Sequence, residues 1–460
     1  MQFIVYVATI LSIYALRQGG VEKAFLRVWI PVFLSMPVVF QVGFPVHYVN
    51  FLQAALFPII FVLLRDQREN FKFGRMESLL FLYVLVRVVV DYLSRGYSDA
   101  QNYLYYILAS LIGPYLLGRY VINSRRMDIE TSRMFVLMFL IFFPMFLYEA
   151  KFWGSPIFRI LGNFFPDAAQ GLSLRYGLAR TSGTFEHPIL ACIMIIAVYR
   201  LHRWLCWLGA WEQTQDGWLG WIQKHAKRFP FSFKNQISIV LIVMALMTIS
   251  RGPWIGGFAG AALVAVGNFK NRKKWLIIVL VAFLIGAVAG QFALDAYTTP
   301  KKGQILSYEQ ETMLYRKVMI DQYKAFLMEK LWTGWGLTTV PKIAGTESLD
   351  NAFFLMALQH GVIAPALFIA ILLYAIASQI KLGLDAPAGE PPIGFTFSGI
   401  YLACSIAFFT VYMGGQTEPM IFLLLGWGEN IKNRKASTSP STNIPVKPSR
   451  SDSPFRRVMY

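Results

Sequence analysis

Four short segments hold residues suited to an anionic substrate that must also lose a proton. The first is Arg175-Tyr-Gly-Leu-Ala-Arg180-Thr-Ser-Gly-Thr-Phe-Glu186-His187-Pro188, just ahead of an apolar run. Two arginines, a glycine turn and a hydroxyl cluster at a helix start make an anion site, because unpaired backbone N–H groups point outward there. Arginines snorkelling at a polar interface are the alternative. The second is Ser250-Arg251-Gly252-Pro253-Trp254, a tight turn between two apolar runs. It leaves Arg251 at a membrane surface, facing either an anionic partner or a lipid headgroup. The third is Arg316, within a helix expected over about 309–332, where Met313, Met319, Ile320, Tyr323, Phe326 and Leu327 share a face opposite Lys317, Asp321 and Lys324. A guanidinium amid that apolar face needs an anionic partner. The fourth is Gly334-Trp335-Gly336 followed by Glu347-Ser348-Leu349-Asp350-Asn351-Ala352-Phe353. The glycines point to a close backbone turn. Glu347 and Asp350 either cap the next helix or take a proton from a substrate.

The elements that must position these residues are membrane helices. Of 460 residues, 56% are hydrophobic and 15% charged, where a soluble chain carries roughly a quarter charged. Apolar runs long enough for a hydrocarbon core of roughly 30 Å recur throughout. They fall at about 2–16, 25–43, 49–64, 78–94, 103–121, 134–150, 187–207, 236–250, 252–268, 275–293, 351–379, 395–413 and 418–428. The expectation is an all-α integral membrane protein with about 12 or 13 transmembrane helices. Arg87 and Asp91, four apart in one span, can pair on its face.

The net charge of +18 would point to nucleic acid in a soluble protein. Here the basic residues cluster in alternate short connections, such as Arg65 to Arg75, Arg119 to Arg133 and Lys270 to Lys274. The positive-inside rule places those in the cytoplasm. Two long loops, about 151–186 and 294–350, then lie outside, together with the turn at Arg251. All four segments share that face. The polytopic domain is expected over 1–431 and a disordered basic cytoplasmic tail over 432–460. No Walker loop, metal-ligand spacing or nucleophile elbow is present, so neither a cofactor nor a metal is expected.

The ordered set Arg180-Thr-Ser-Gly-Thr-Phe-Glu-His-Pro, Ser250-Arg-Gly-Pro-Trp-Ile-Gly, Gly334-Trp-Gly, Asp350-Asn-Ala-Phe-Phe-Leu and Gly361 resembles the O-antigen ligase and O-antigen polymerase superfamily of bacterial envelope glycosyltransferases. The resemblance covers roughly residues 130 to 428. The N-terminal third matches only as a run of spans. It implies a C-type membrane glycosyltransferase in the bacterial cytoplasmic (inner) membrane, with its active site on the periplasmic face. Its donor would be a polyprenyl-pyrophosphate-linked oligosaccharide, and its acceptor another glycan or lipid A–core. Arg180, Arg251 and Arg316, with Arg175 as a fourth, would face the leaving pyrophosphate. Asp350 or Glu347 would act as base, and Glu186, His187, Trp335 and Asn351 would line the substrate. Ligases commonly carry His-Asn where this chain has Asp350-Asn351, which favours a polymerase for O-antigen or exopolysaccharide. A lipid-linked sugar transporter would instead hold its ionisable groups at mid-membrane.

Overall fold

The computed structural model describes residues 2–43, 47–67, 71–166, 168, 171, 173–212, 220, 223–225, 228, 230–299, 307–343, 349–387 and 392–438. Among them the chain is a bundle of helices with two short two-stranded hairpins. Five helices are long and apolar enough to cross a membrane: Gln2–Ser35, Arg125–Phe152, Pro188–Trp207, Arg272–Thr298 and Ile363–Leu384. Phe233–Met247 and Ile393–Phe408 are apolar but shorter.

Several expected spans differ, for local reasons. The first two runs form one continuous helix that kinks at Gly19 and Gly20, where Gly20 has φ +70°. It ends at Ser35, so residues expected in the span to 43 instead supply the strand Gln41–Gly43, paired with Tyr48–Asn50. The run expected over 351–379 breaks at Gly361, whose φ of +72° is open to glycine but strained for other residues. It becomes Ala352–His360 and Ile363–Leu384. The last helix, Thr417–Thr438, runs past the tail boundary expected at 432. There Arg434 pairs with the buried Asp128 at 2.8 Å, which holds the turn in place. Residues 439–460 lie outside the described ones.

Arg87 does not pair with Asp91. It reaches Glu418 at 3.1 Å and donates to the Tyr83 hydroxyl at 2.9 Å, all within the bundle. Asp91 instead accepts from the Leu337 N–H at 3.1 Å. Asp91 is as buried as Glu418, so packing decides this: the bundle brings Glu418 of the last helix to Arg87, which needs a carboxylate once removed from water.

Close helix contact fixes the turn that carries Arg251. A Cβ on Gly256 would lie 2.4 Å from the Ala403 carbonyl oxygen, and one on Gly260 would lie 2.3 Å from that of Gly399. The helices Arg251–Ala265 and Ile393–Phe408 therefore touch backbone to backbone, as small residues spaced by four allow. The helix expected over about 309–332 forms at the surface of the bundle as Tyr308–Glu329, started by a Ser307–Gln310 capping box. Met319 and Tyr323 bury against Leu358. Ile320, expected on that face, is 36% exposed.

Candidate anion site at one end of the bundle

The loop before Pro188 is shaped by its own sequence. Leu174–Arg175 pairs with Leu178–Ala179, and both residues between, Tyr176 and Gly177, have positive φ. That is the two-residue turn that suits strand twist. The turn carries Tyr176 outward, and the Arg251 guanidinium lies 5.7 Å from its ring centre, within range for a cation–π contact.

Both loop arginines grip the turn between the Phe233–Met247 and Arg251–Ala265 helices. Arg175 donates to the Ile249 carbonyl at 3.0 Å. Arg180 is buried and donates to the Thr248 carbonyl at 3.1 Å, Ser250 Oγ at 2.9 Å and Ser173 Oγ at 3.2 Å. Ile249 has φ +48°, a strained conformation for a β-branched residue that persists only where its surroundings enforce it. The two arginines supply that enforcement. Arg180 is thus committed to shaping the turn as well as carrying charge.

Arg316 enters from the surface helix. It stands 3.9 Å from Asp350 and donates to the Thr410 carbonyl at 3.4 Å. Thr410 also packs on Gly252, where a Cβ would meet its Oγ1 at 2.4 Å. The Arg316 partner demanded by its apolar surroundings is Asp350. Burial lowers the Arg316 pKa from its usual value, Asp350 opposes that shift, and Arg175 adds to it.

His187 stands where these groups meet. Its Nδ1 accepts from the Ile189 N–H at 3.2 Å, capping the Pro188–Trp207 helix. Burial pushes its pKa down to about 4, with Arg180 next in weight, Asp350 opposing, and Arg175 and Arg316 lowering it further. The ring is therefore neutral at neutral pH, with its proton on Nε2. One imidazole feels two arginines of its own loop together with Arg316 and Asp350, which lie more than 120 residues further along the chain. Next to it, burial raises the Glu186 carboxyl, while the Gly415 N–H and the Tyr412 hydroxyl pull it back.

Other expected residues sit differently. Asn351, not Asp350, caps the next helix, accepting from the Phe354 N–H at 3.0 Å. Asp350 lies one residue too early for that bond and turns to Arg316 instead. Trp335 fastens the surface helix, with its indole donating to the Phe326 carbonyl and its backbone N–H to that of Leu358. None of its described contacts is with the arginines. Glu347 lies outside the described residues. Glu149 was not singled out from the sequence. It is buried at the end of the Arg125–Phe152 helix and accepts from the Ser182 and Gly183 N–H groups at 3.0 and 2.7 Å. Its one sequence signal is a carboxylate near the C-terminal end of an apolar run.

Residues 236–369 match the family model described as O-Antigen ligase. The match takes in Arg251, Arg316, Trp335, Asp350 and Asn351, while Arg175, Arg180, Glu186 and His187 join them only in space. No curated protein matches the chain. That segment is similar to the O-antigen ligase family, a likeness that supports the O-antigen ligase and polymerase superfamily and a membrane enzyme that transfers glycan in polysaccharide assembly.

Proposed function

We propose that this protein is a C-type glycosyltransferase of the bacterial inner membrane. It moves glycan from a polyprenyl-pyrophosphate carrier on the extracytoplasmic face, as a polymerase of O-antigen or exopolysaccharide. The observation that carries this reading is that Arg175 and Arg180 both bind the turn that bears Arg251, while Arg316 pairs with Asp350 and reaches Thr410, which packs on Gly252 beside Arg251.

In the reaction an acceptor hydroxyl oxygen attacks the anomeric carbon of the donor sugar. The bond from that carbon to the phosphate oxygen breaks, and its electron pair leaves on the pyrophosphate. Negative charge grows on phosphate oxygens, and fixed guanidinium groups stabilise it most where it develops. Arg316 and Arg251 are the candidates for direct contact. Arg180, with three described bonds to the protein, positions the turn and adds field. The neutral His187 Nε2–H can donate to a phosphate oxygen without adding a charge that needs balancing. The hydroxyl proton passes to a carboxylate, Asp350 or Glu186. Burial raises the Glu186 carboxyl from its ordinary value, which favours it as a base, and Glu347 is a third candidate.

Asp350-Asn351 in place of His-Asn favours a polymerase, whereas the description of the matched family favours a ligase to lipid A–core. Gene deletion with gel analysis of envelope glycans separates them. Single repeat units, on carrier or on lipid A–core, would mark a polymerase. Full-length chains on carrier with bare lipid A–core would mark a ligase. Restoration by wild type but not by Arg251→Ala supports the site. An unchanged glycan profile on deletion would count against the enzyme reading.

A further inference from the structure

Glu186 lies at a junction. Its neighbour His187 stands among the arginines, and Glu186 itself lines a second cavity of about 810 Å³, a size typical of small-molecule sites. Most of that cavity comes from the N-terminal third of the chain, which the motif set leaves without a role. Its walls are the Gln41–Gly43 and Tyr48–Asn50 hairpin and the ends of the helices Arg75–Arg95 and Tyr97–Ile107. Leu337 and Thr338 close one side, held by the bond from the Leu337 N–H to Asp91.

We propose that this cavity binds an uncharged sugar unit of the glycan and presents its hydroxyl to Glu186. The inference rests on the glycan-transfer reading and names where one saccharide sits. Aromatic rings of Tyr48, Tyr105 and Tyr106 and amides of Asn50, Gln53 and Asn102 line it. Such a mixture suits a ring with apolar faces and hydroxyl edges. Two polar atoms of its lining residues, Asn102 Oδ1 and the Tyr105 hydroxyl, are buried with no partner among the described residues. Buried polar atoms are normally satisfied, and sugar hydroxyls both donate and accept. A polyprenyl tail would leave these groups stranded. A phosphate would meet Asp91, Asp99 and Glu186 on the same walls, with Arg95 already paired to Asp99. The charge division is then physical: pyrophosphate goes to the arginines and neutral sugar goes to the tyrosine and amide cavity.

The test uses the full-length protein in lipid nanodiscs. The probe is the phosphate-free oligosaccharide released by mild acid from the host's own lipid-linked repeat unit, with binding read by saturation-transfer NMR. Wild type and Arg316→Ala should bind alike. Asn102→Leu, which removes the amide, should weaken binding about tenfold or more, the loss of about 1.4 kcal/mol. Tyr105→Phe, which deletes one hydroxyl and keeps the ring, should weaken it less and guards against misfolding as the cause. Wild-type binding unchanged in both cavity variants would overturn the proposal. So would a wild type that does not bind the oligosaccharide. In that case turnover of the intact lipid-linked unit shows that glycan transfer still stands and the cavity assignment alone has failed.

Discussion

Replacing Arg316 by alanine should separate stability from activity. The Arg316–Asp350 pair is 3.9 Å apart, with side chains 22% and 29% exposed. At that separation two unit charges attract by about 1 kcal/mol in water and about 4 kcal/mol at an effective dielectric of 20. Partial exposure and the ordering of a long side chain bring the net contribution to about 1 kcal/mol or less. The weak 3.4 Å bond to Thr410 adds little. Arg316→Ala should therefore leave thermal unfolding in detergent almost unchanged. Activity is a different matter, because a donor aimed at developing phosphate charge is worth about 2.7–4 kcal/mol, or roughly 100- to 1,000-fold in turnover. Arg316→Lys keeps the charge but not the planar fork and should recover only part of that loss. The assay is chain extension of purified lipid-linked repeat units by the reconstituted enzyme, alongside a melting curve for each variant. Arg316→Ala turnover within threefold of wild type, at unchanged stability, would refute the role given to this arginine.

Glu149→Gln should lose stability and activity together. It turns one acceptor of the Ser182 and Gly183 N–H groups into a donor facing a donor, costing about 1–3 kcal/mol, and melting curves check this. His187 offers a pH test. Its folded pKa of about 4 lies below the ordinary 6.5, so the unfolded chain binds more protons between those values. Stability from this group is complete above about pH 6.5 and is lost as pH falls towards 4, on the order of 3 kcal/mol in all; His187→Gln should flatten that acid limb of a stability–pH curve. Ser250→Ala removes one acceptor of the buried Arg180 and should cost about 1.5–3 kcal/mol, read as a lower melting temperature with reduced turnover. Glu186→Gln should cut turnover without changing binding of the donor, which a comparison of kcat with KM would show.

The sequence by itself determined the all-helical membrane character, because runs of apolar residues have no other way to satisfy their backbone in lipid. It also picked out the segments around Arg180, Arg251, Arg316 and Asp350, since cations among apolar residues are costly and call for a partner. The Ser307–Gln310 start of the surface helix was close to its expected place because capping is a local interaction. Tertiary structure decided what those charges touch. Arg87 chose Glu418, 331 positions away, over Asp91 four residues on, and Asn351 took the cap that had been expected of Glu347 or Asp350. Nothing local in Glu149 says that it will hold the Ser182–Gly183 backbone, or that Tyr105 and Asn102 will share a cavity with Glu186. Such pairings depend on which groups packing brings into contact, and that is a property of the packed bundle. Spacing along the chain cannot contain it.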